Sequence, residues 1–201
     1  MTDNSGVKVG GLLLAAGGSS RLGRPKQLVH FKGKTLLRRA AETLADSECK
    51  PVVVVLGAEL QCSTAELNGL SVTYCVNDDW QSGMSSSIRT GLIAILNIEP
   101  KLDAVMISLC DQPNVTAADI DAFITEFRTA RPQIVAAAYE NIAGVPAIFS
   151  AELFPKLLDL SGDKGARDLI RNNADVLVKI PLEAASIDID NLDDLNRLET
   201  V

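Results

Sequence analysis

The sequence predicts a doubly wound α/β fold built on a mostly parallel sheet. Three observations predict it. Apolar runs rich in Val, Ile, Leu and Ala alternate along the chain with segments of helical periodicity. The runs are continuously apolar rather than alternating, as expected of strands covered on both faces. The 201 residues, 47% hydrophobic and 22% charged, suit one domain, 1–201, with a substantial buried core.

Taken in order, residues 9–15 (VGGLLLA) read as the first strand and 51–56 (PVVVVL) as a second, rich in β-branched side chains. Residues 71–76, 103–109 (DAVMISL) and 133–139 (QIVAAAY) follow, with shorter candidates at 176–180 and 186–189. Helices are expected over 35–45, where Leu36, Leu37, Ala40, Ala41 and Leu44 share one face, and over 85–96, through Ile88, Leu92, Ile95 and Leu96. A third, over 116–128, opens on Thr116 with Asp119 three residues on, a capping pattern; a fourth is expected at 192–198. In such sheets ligands bind beyond the C-terminal ends of the strands, which singles out the loops that leave them.

Composition excludes several classes. A net charge of −7 argues against a general nucleic-acid binder. No apolar run approaches the roughly 20 residues needed to cross a bilayer. Cys49, Cys62, Cys75 and Cys110 form no C-x-x-C pair, and one histidine, His30, is present, so a zinc site is not expected. With no signal-peptide pattern, a reducing cytoplasm and free thiols are the expectation. Charge is unevenly distributed: residues 4–41 hold no Asp or Glu but carry Lys8, Arg21, Arg24, Lys26, Lys32, Lys34, Arg38 and Arg39. This stretch is either a solvated basic face or a site for a polyanion such as a triphosphate.

The loop after the first strand favours the polyanion, at least for Arg21 and Lys26. It reads Leu14-Ala15-Ala16-Gly17-Gly18-Ser19-Ser20-Arg21-Leu22-Gly23-Arg24-Pro25-Lys26. Small residues let a backbone approach a phosphate and aim successive N–H groups at it, Ser19 and Ser20 add donors, and Arg21 and Lys26 neutralise charge. The G-x-G-x-x-G fingerprint is absent, which disfavours an ordinary NAD-binding dehydrogenase. Gly33-Lys34-Thr35 supplies only the end of a Walker A box, since Leu28 stands where its first glycine belongs; it reads as a turn into a helix.

Further on, Asp111 in Leu109-Cys110-Asp111-Gln112-Pro113 stands at the tip of a central strand, as a Mg²⁺ ligand or as a helix cap, the latter better assigned to Thr116. In Ile187-Asp188-Ile189-Asp190, both aspartates would share one strand face, so either could complete a metal site with Asp111. Ser82, Gly83 and Ser85 precede a helix N-terminus suited to an anion or a base edge, or simply cap it; Trp80 is a lid or packing.

Leu14-Ala15-Ala16-Gly17 followed by Arg21-x-Gly23-x-x-Lys26 resembles the signature of the MobA-like nucleotidyltransferase family, and within it the molybdenum cofactor cytidylyltransferases. The resemblance extends from Leu13 to Leu195. It implies a Rossmann-like, GT-A-like nucleotidyltransferase fold. Asp111 falls on the metal-holding Asp of the family's G-D-Q-P motif, with Cys110 in place of Gly, a swap that could alter loop closeness or add redox sensitivity. Asp190 falls on the ligand of its D-T-P-E-D-L ending, with Asn191 and Leu192 as departures. The segment around Ser82, Gly83 and Ser85 resembles W-x-x-G-M-x-x-S-[IL], near the base and the acceptor. Gly144 and Pro146, and Gly162, Asp163 and Arg167, resemble G-x-P-x-x-F and G-D-x-G-A-R, associated with the acceptor, as is Gln112. Leu-Ala-Ala-Gly accompanies cytidine in this family. The resemblance thus implies CTP, Mg²⁺ and a molybdopterin-type acceptor, and a molybdenum hydroxylase as a possible partner. Sugar-phosphate or isoprenoid acceptors, or a non-catalytic cofactor-delivery role, are the alternatives.

Overall fold

The computed structural model describes residues 6–18, 25–140, 142–162 and 165–189. Among them the chain runs β1 (Val9–Ala15), β2 (His30–Phe31), β3 (Lys34–Thr35), α1 (Leu36–Asp46), β4 (Val52–Leu56), α2 (Leu60–Glu66), β5 (Thr73–Val76), α3 (Met84–Ile98), β6 (Ala104–Leu109), α4 (Ala117–Ala130), β7 (Ile134–Tyr139), β8 (Ile142–Ser150), α5 (Phe154–Leu158), α6 (Ala166–Arg171) and β9 (Leu177–Pro181). The main sheet has the order β5-β4-β1-β6-β8-β7-β9. All its strands are parallel except β8, which is antiparallel to β6 and β7. The doubly wound, mostly parallel sheet that the apolar runs predict is therefore present.

Period-two alternation builds two cores. From β1, Leu13 and Ala15 enter one core with Leu37, Ala41 and Leu44 of α1 and Ile120, Phe123 and Phe127 of α4. Leu12, Leu14 and Ala16 enter the other with Ile88, Leu92 and Ile95 of α3 and Leu157, Leu169 and Ile170 of α5 and α6. All five residues of β4 are buried, which is why its sequence shows no polar alternation. Helix α4 begins at the expected capping box, with Thr116 and Asp119 bonding each other's backbone N–H groups. Gly33-Lys34-Thr35 is the turn into α1, and Thr35 caps that helix by accepting from Arg38 N.

Two expectations are corrected. Residues 186–189 are not a strand: Glu183–Ser186 is a 3-10 turn, Ile187 is exposed, and Ile189 makes one backbone bond, to Asp111 O at 3.2 Å, rather than a ladder. Ile189 is instead buried with Val29, Phe31 and Leu36. Strand β8, where sequence patterning gives no strand, is real. Ala136 pairs with Ala147 but Ala137 with Gly144, so Val145 and Pro146 bulge out of the ladder and the missing Pro146 N–H leaves no gap in it. The helix expected at 192–198 lies outside the described residues. No described helix is long and apolar enough to cross a membrane.

The chain builds β1, β4 and β5 in one direction, then returns to place β6 on the other side of β1. The switch in direction opens a crevice between the C-terminal ends of β1 and β6, where an open α/β sheet binds its ligand.

Candidate active site

A cleft of about 320 Å³ occupies that crevice, lined by Leu14 of β1, Ile107 and Leu109 of β6, Val145 of β8, Met84 at the start of α3, and Gly165 to Asp168 at the start of α6. Its walls are largely apolar, with Arg167 and Asp168 as charged groups.

The β1 loop enters from one side. Leu14, Ala15 and Ala16 are buried, Leu14 against the cleft and the two alanines in opposite cores, while Gly17 and Gly18 emerge at the surface. Ser19 and Arg21, expected to bind nucleotide, lie outside the described residues, as does Arg24. The chain returns at Lys26, in the turn Lys26–Leu28, and Lys26 Nζ donates to Asp111 Oδ2 at 2.6 Å. Both side chains are largely buried. The remaining described cations of this basic stretch are used elsewhere. Lys8 pairs with Glu99, Lys34 and Arg38 with Glu42, and Lys32 and Arg39 lie over the Phe31 ring. The stretch is therefore not one continuous anion site.

Asp111 stands just past β6. Its backbone carbonyl takes the bond from Ile189 N, which brings Asp188 beside it. Its Oδ1 is buried and makes no hydrogen bond among the described residues. A hard carboxylate oxygen left without a donor in the crevice is what a Mg²⁺-sized cation would take. Asp190 lies outside the described residues, and the described ones alone hold no cluster of three such ligands. Burial first, then the neighbouring Asp111 carboxylate, push the Cys110 thiol up to about 12, with Lys26 opposing. Redox sensitivity at Cys110 is therefore not what its surroundings support, because the reactive thiolate is suppressed.

Gln112, expected at the acceptor, is buried and works as a brace: its Nε2 donates to Val145 O at 3.1 Å and to Ala185 O at 2.9 Å. The Val145 carbonyl is free to accept because it lies in the β8 bulge. Gly144 and Pro146 thus shape the bulge that holds Gln112 and, next to it, Asp111.

On the opposite wall, buried Asn77 donates to Ser86 Oγ at 2.8 Å and Ser87 Oγ at 3.0 Å, and accepts from Asp79 N. Ser82 donates to Asp79, and Gly83 adopts φ 109°, which favours glycine. Ser85 donates its hydroxyl to Gly162 O at 2.7 Å, so the expected nucleotide and acceptor sides are joined directly. Asp163 lies outside the described residues. Arg167 begins α6 beside Tyr139, a residue that sequence reasoning missed inside a predicted strand. Burial foremost, and the Asp188 and Asp111 carboxylates, hold the Tyr139 hydroxyl above its usual range against a hydrogen bond from Arg167. His30 is exposed and pairs with Thr35 through its backbone.

Fold and crevice together are those of an α/β protein that binds its ligand at the switch point of its sheet. Residues 11–176 match the profile of the MobA-like NTP transferase domain, and the chain belongs to that family. It is 35% identical to a protein of Paenarthrobacter nicotinovorans named nicotine blue oxidoreductase, across 94% of this chain and 96% of that one. It is 29% identical to a probable molybdenum cofactor guanylyltransferase of Bacillus cytotoxicus, across 54% and 52%. Among solved structures it superposes on Rv0371c of Mycobacterium tuberculosis H37Rv with a TM-score of 0.85 at 26% identity, covering 97% of this chain and 99% of that one.

Proposed function

We propose that the protein is a Mg²⁺-dependent cytidylyltransferase that passes CMP from CTP to a molybdopterin-type acceptor and releases pyrophosphate. The observation that carries the proposal is the pair Lys26–Asp111 at 2.6 Å across the mouth of the crevice, with the second Asp111 oxygen buried and without a hydrogen bond among the described residues. A cation and an available carboxylate there are what a triphosphate and its metal require. The Leu14-Ala15-Ala16-Gly17 run supports cytidine, and the similarity to a molybdenum cofactor guanylyltransferase supports the acceptor class.

In this reading an acceptor phosphate oxygen attacks the α-phosphorus of CTP in line, the bond to the bridging oxygen breaks, and pyrophosphate leaves. The nucleophile is already anionic, so positioning and charge neutralisation carry the rate rather than a general base. Asp111 and Asp190 would hold Mg²⁺, which when bound offsets the charge of the phosphates. Lys26 and Arg21 neutralise the departing pyrophosphate. The β1 loop, Ser82, Gly83 and Ser85 shape the nucleotide side; Arg167 takes the acceptor phosphate, oriented by Tyr139. A molybdenum hydroxylase would receive the product.

A second reading follows from the relative named nicotine blue oxidoreductase, which aligns along nearly the whole chain. It would make the apolar cleft a redox site, although β1 is not followed by the dinucleotide fingerprint.

One experiment separates the readings. Pyrophosphate release is measured with each NTP and Mg²⁺, with and without molybdenum-loaded molybdopterin, using Asp111→Ala as control, beside NADH and NADPH oxidation without NTP. Release with CTP that needs the acceptor and is lost in the variant supports the cytidylyltransferase. Acceptor-dependent release with another NTP corrects the base, and release only with a sugar phosphate or isoprenoid phosphate corrects the acceptor. No release, with nicotinamide oxidation, favours the second reading; neither activity leaves cofactor delivery.

A further inference from the structure

Trp80, the chain's only tryptophan, lies along the mouths of β1 and β4. A Cβ placed on Gly57 would come within 2.7 Å of the Ala16 backbone oxygen and 2.9 Å of both Trp80 Cδ1 and Cγ; one placed on Gly18 would come within 2.7 Å of Cη2 and 3.1 Å of Cζ3. The five-membered ring therefore rests on Gly57 and the six-membered ring on Gly18. A rigid aromatic plane cannot yield to a side chain as a flexible one does, so both positions must stay small. The surface beneath the ring is tied down. Ala58 N donates to Ala16 O at 3.1 Å, and buried Gln27 donates Nε2 to Ala58 O at 3.3 Å. The ring is anchored from its own side by the turn Trp80–Ser82, closed by Gly83 N to Trp80 O at 3.3 Å, and by the Asn77 bond to Asp79 N. Gly17 differs: among the described residues, nothing lies within 4 Å of a Cβ placed there.

We propose that Trp80 is a positioning residue for the phosphate loop, its indole seating Gly18 against Gly57 so that the Gly17 backbone is held in place for the triphosphate. The two adjacent glycines then have different tasks. Gly18 makes room for the indole, and Gly17 makes room for the ligand. The inference rests on the nucleotidyltransferase reading, and it adds that the base-side loop after β5 sets the phosphate-side loop after β1 through one aromatic ring.

The test joins a spectroscopic readout to a kinetic split, on the full chain. Because there is one tryptophan, emission reports this contact alone. Gly18→Ala is expected to shift the emission of the ligand-free protein to the red as the ring lifts, whereas Gly17→Ala leaves the emission unchanged and weakens NTP binding. Trp80→Ala is expected to raise the KM for NTP about tenfold, on the scale of a small misplacement of a bound group, with the KM for acceptor unchanged; Trp80→Phe restores most of the loss. Gly18→Ala made in the Trp80→Ala background should add little, because the clash is gone. Unchanged emission in Gly18→Ala, or equal rises in both KM values for Trp80→Ala in an active, folded enzyme, overturns the inference alone. Absence of any NTP turnover in the unmodified protein overturns the nucleotidyltransferase reading instead, and this inference with it.

Discussion

Lys26 Nζ and Asp111 Oδ2 stand 2.6 Å apart although 85 residues separate them in the chain, and they close the crevice between the two central strands. The same carboxylate is proposed to serve the metal, so the ammonium and the divalent cation share it. Lys26→Ala should therefore move two quantities in opposite directions. The turnover constant kcat/KM falls about 10²-fold or more, the scale of one lost electrostatic donor. Affinity for Mn²⁺, followed by its paramagnetic signal, rises because the competing cation is gone. Unchanged kcat/KM would remove Lys26 from the mechanism, and weaker Mn²⁺ binding would remove the sharing.

In the proposed mechanism Gly144 bears on the acceptor through Tyr139. A Cβ at Gly144 would lie 2.6 Å from the Tyr139 hydroxyl, which is the rigid end of a buried ring and the partner of Arg167. Gly144→Ala should push that hydroxyl aside and raise the acceptor KM about tenfold while sparing the KM for CTP, as expected when a bound group is displaced. Tyr139→Phe, which removes without a clash the hydroxyl's long donation to Val145 O at 3.5 Å and its bond from Arg167, should act the same way but less, at about 1 kcal/mol. A rise in both KM values would point to general loosening of the β7–β8 bulge.

Asn77 carries three hydrogen bonds while buried, two to serines of α3 and one from Asp79. Asn77→Ala leaves several of these groups without partners in a dry environment. A loss of about 2–3 kcal/mol is expected, read as a fall in Tm of about 5–10 °C for a domain of this size. A smaller shift in Tm with a large rise in the KM for CTP would instead assign Asn77 to the ligand.

Much of this fold was legible because buried parallel strands spell themselves as apolar runs. Residues 9–15 coincide with β1, and 52–56 and 134–139 begin one residue inside the expected limits. Strand β8 was not legible, because Gly144 and Pro146 interrupt its pattern and their purpose, a bulge, exists only opposite Ala136 and Ala137. Helices α2 and α5 have seven and five residues, too few to show a period. At the site, Lys26 and Asp111 could be proposed from their places after strand ends. Trp80 over Gly18 and Tyr139 under Gly144 could not, since each depends on a contact between distant segments. Gln112 shows the same limit: its place in a motif suggested the acceptor, while the bonds of its Nε2 to Val145 O and Ala185 O depend on segments distant in the chain.

The thiols give the last prediction, and it concerns pH. Burial raises Cys49 and Cys110 from the ordinary 9.0 to about 12 and Cys75 to about 11, while Cys62 is exposed. At pH 8 a disulfide reagent should therefore label about one thiol rapidly in the folded protein, Cys62, and all four only in denaturant. Activity should survive this labelling, despite the position of Cys110 beside Asp111. The sign of the stability effect follows from proton counting. A thiol that stays protonated when folded but ionises near 9 when unfolded binds more protons in the native state over that interval. Its contribution is whole below about pH 9 and is lost as pH rises towards 11 and 12. Unfolding free energies from denaturant titrations at pH 8 and pH 10.5 should fall, and replacing Cys110 by Ala should reduce the fall. Rapid labelling of Cys110 at pH 8, with loss of activity that Cys110→Ala prevents, would show instead that the thiol is open to redox control.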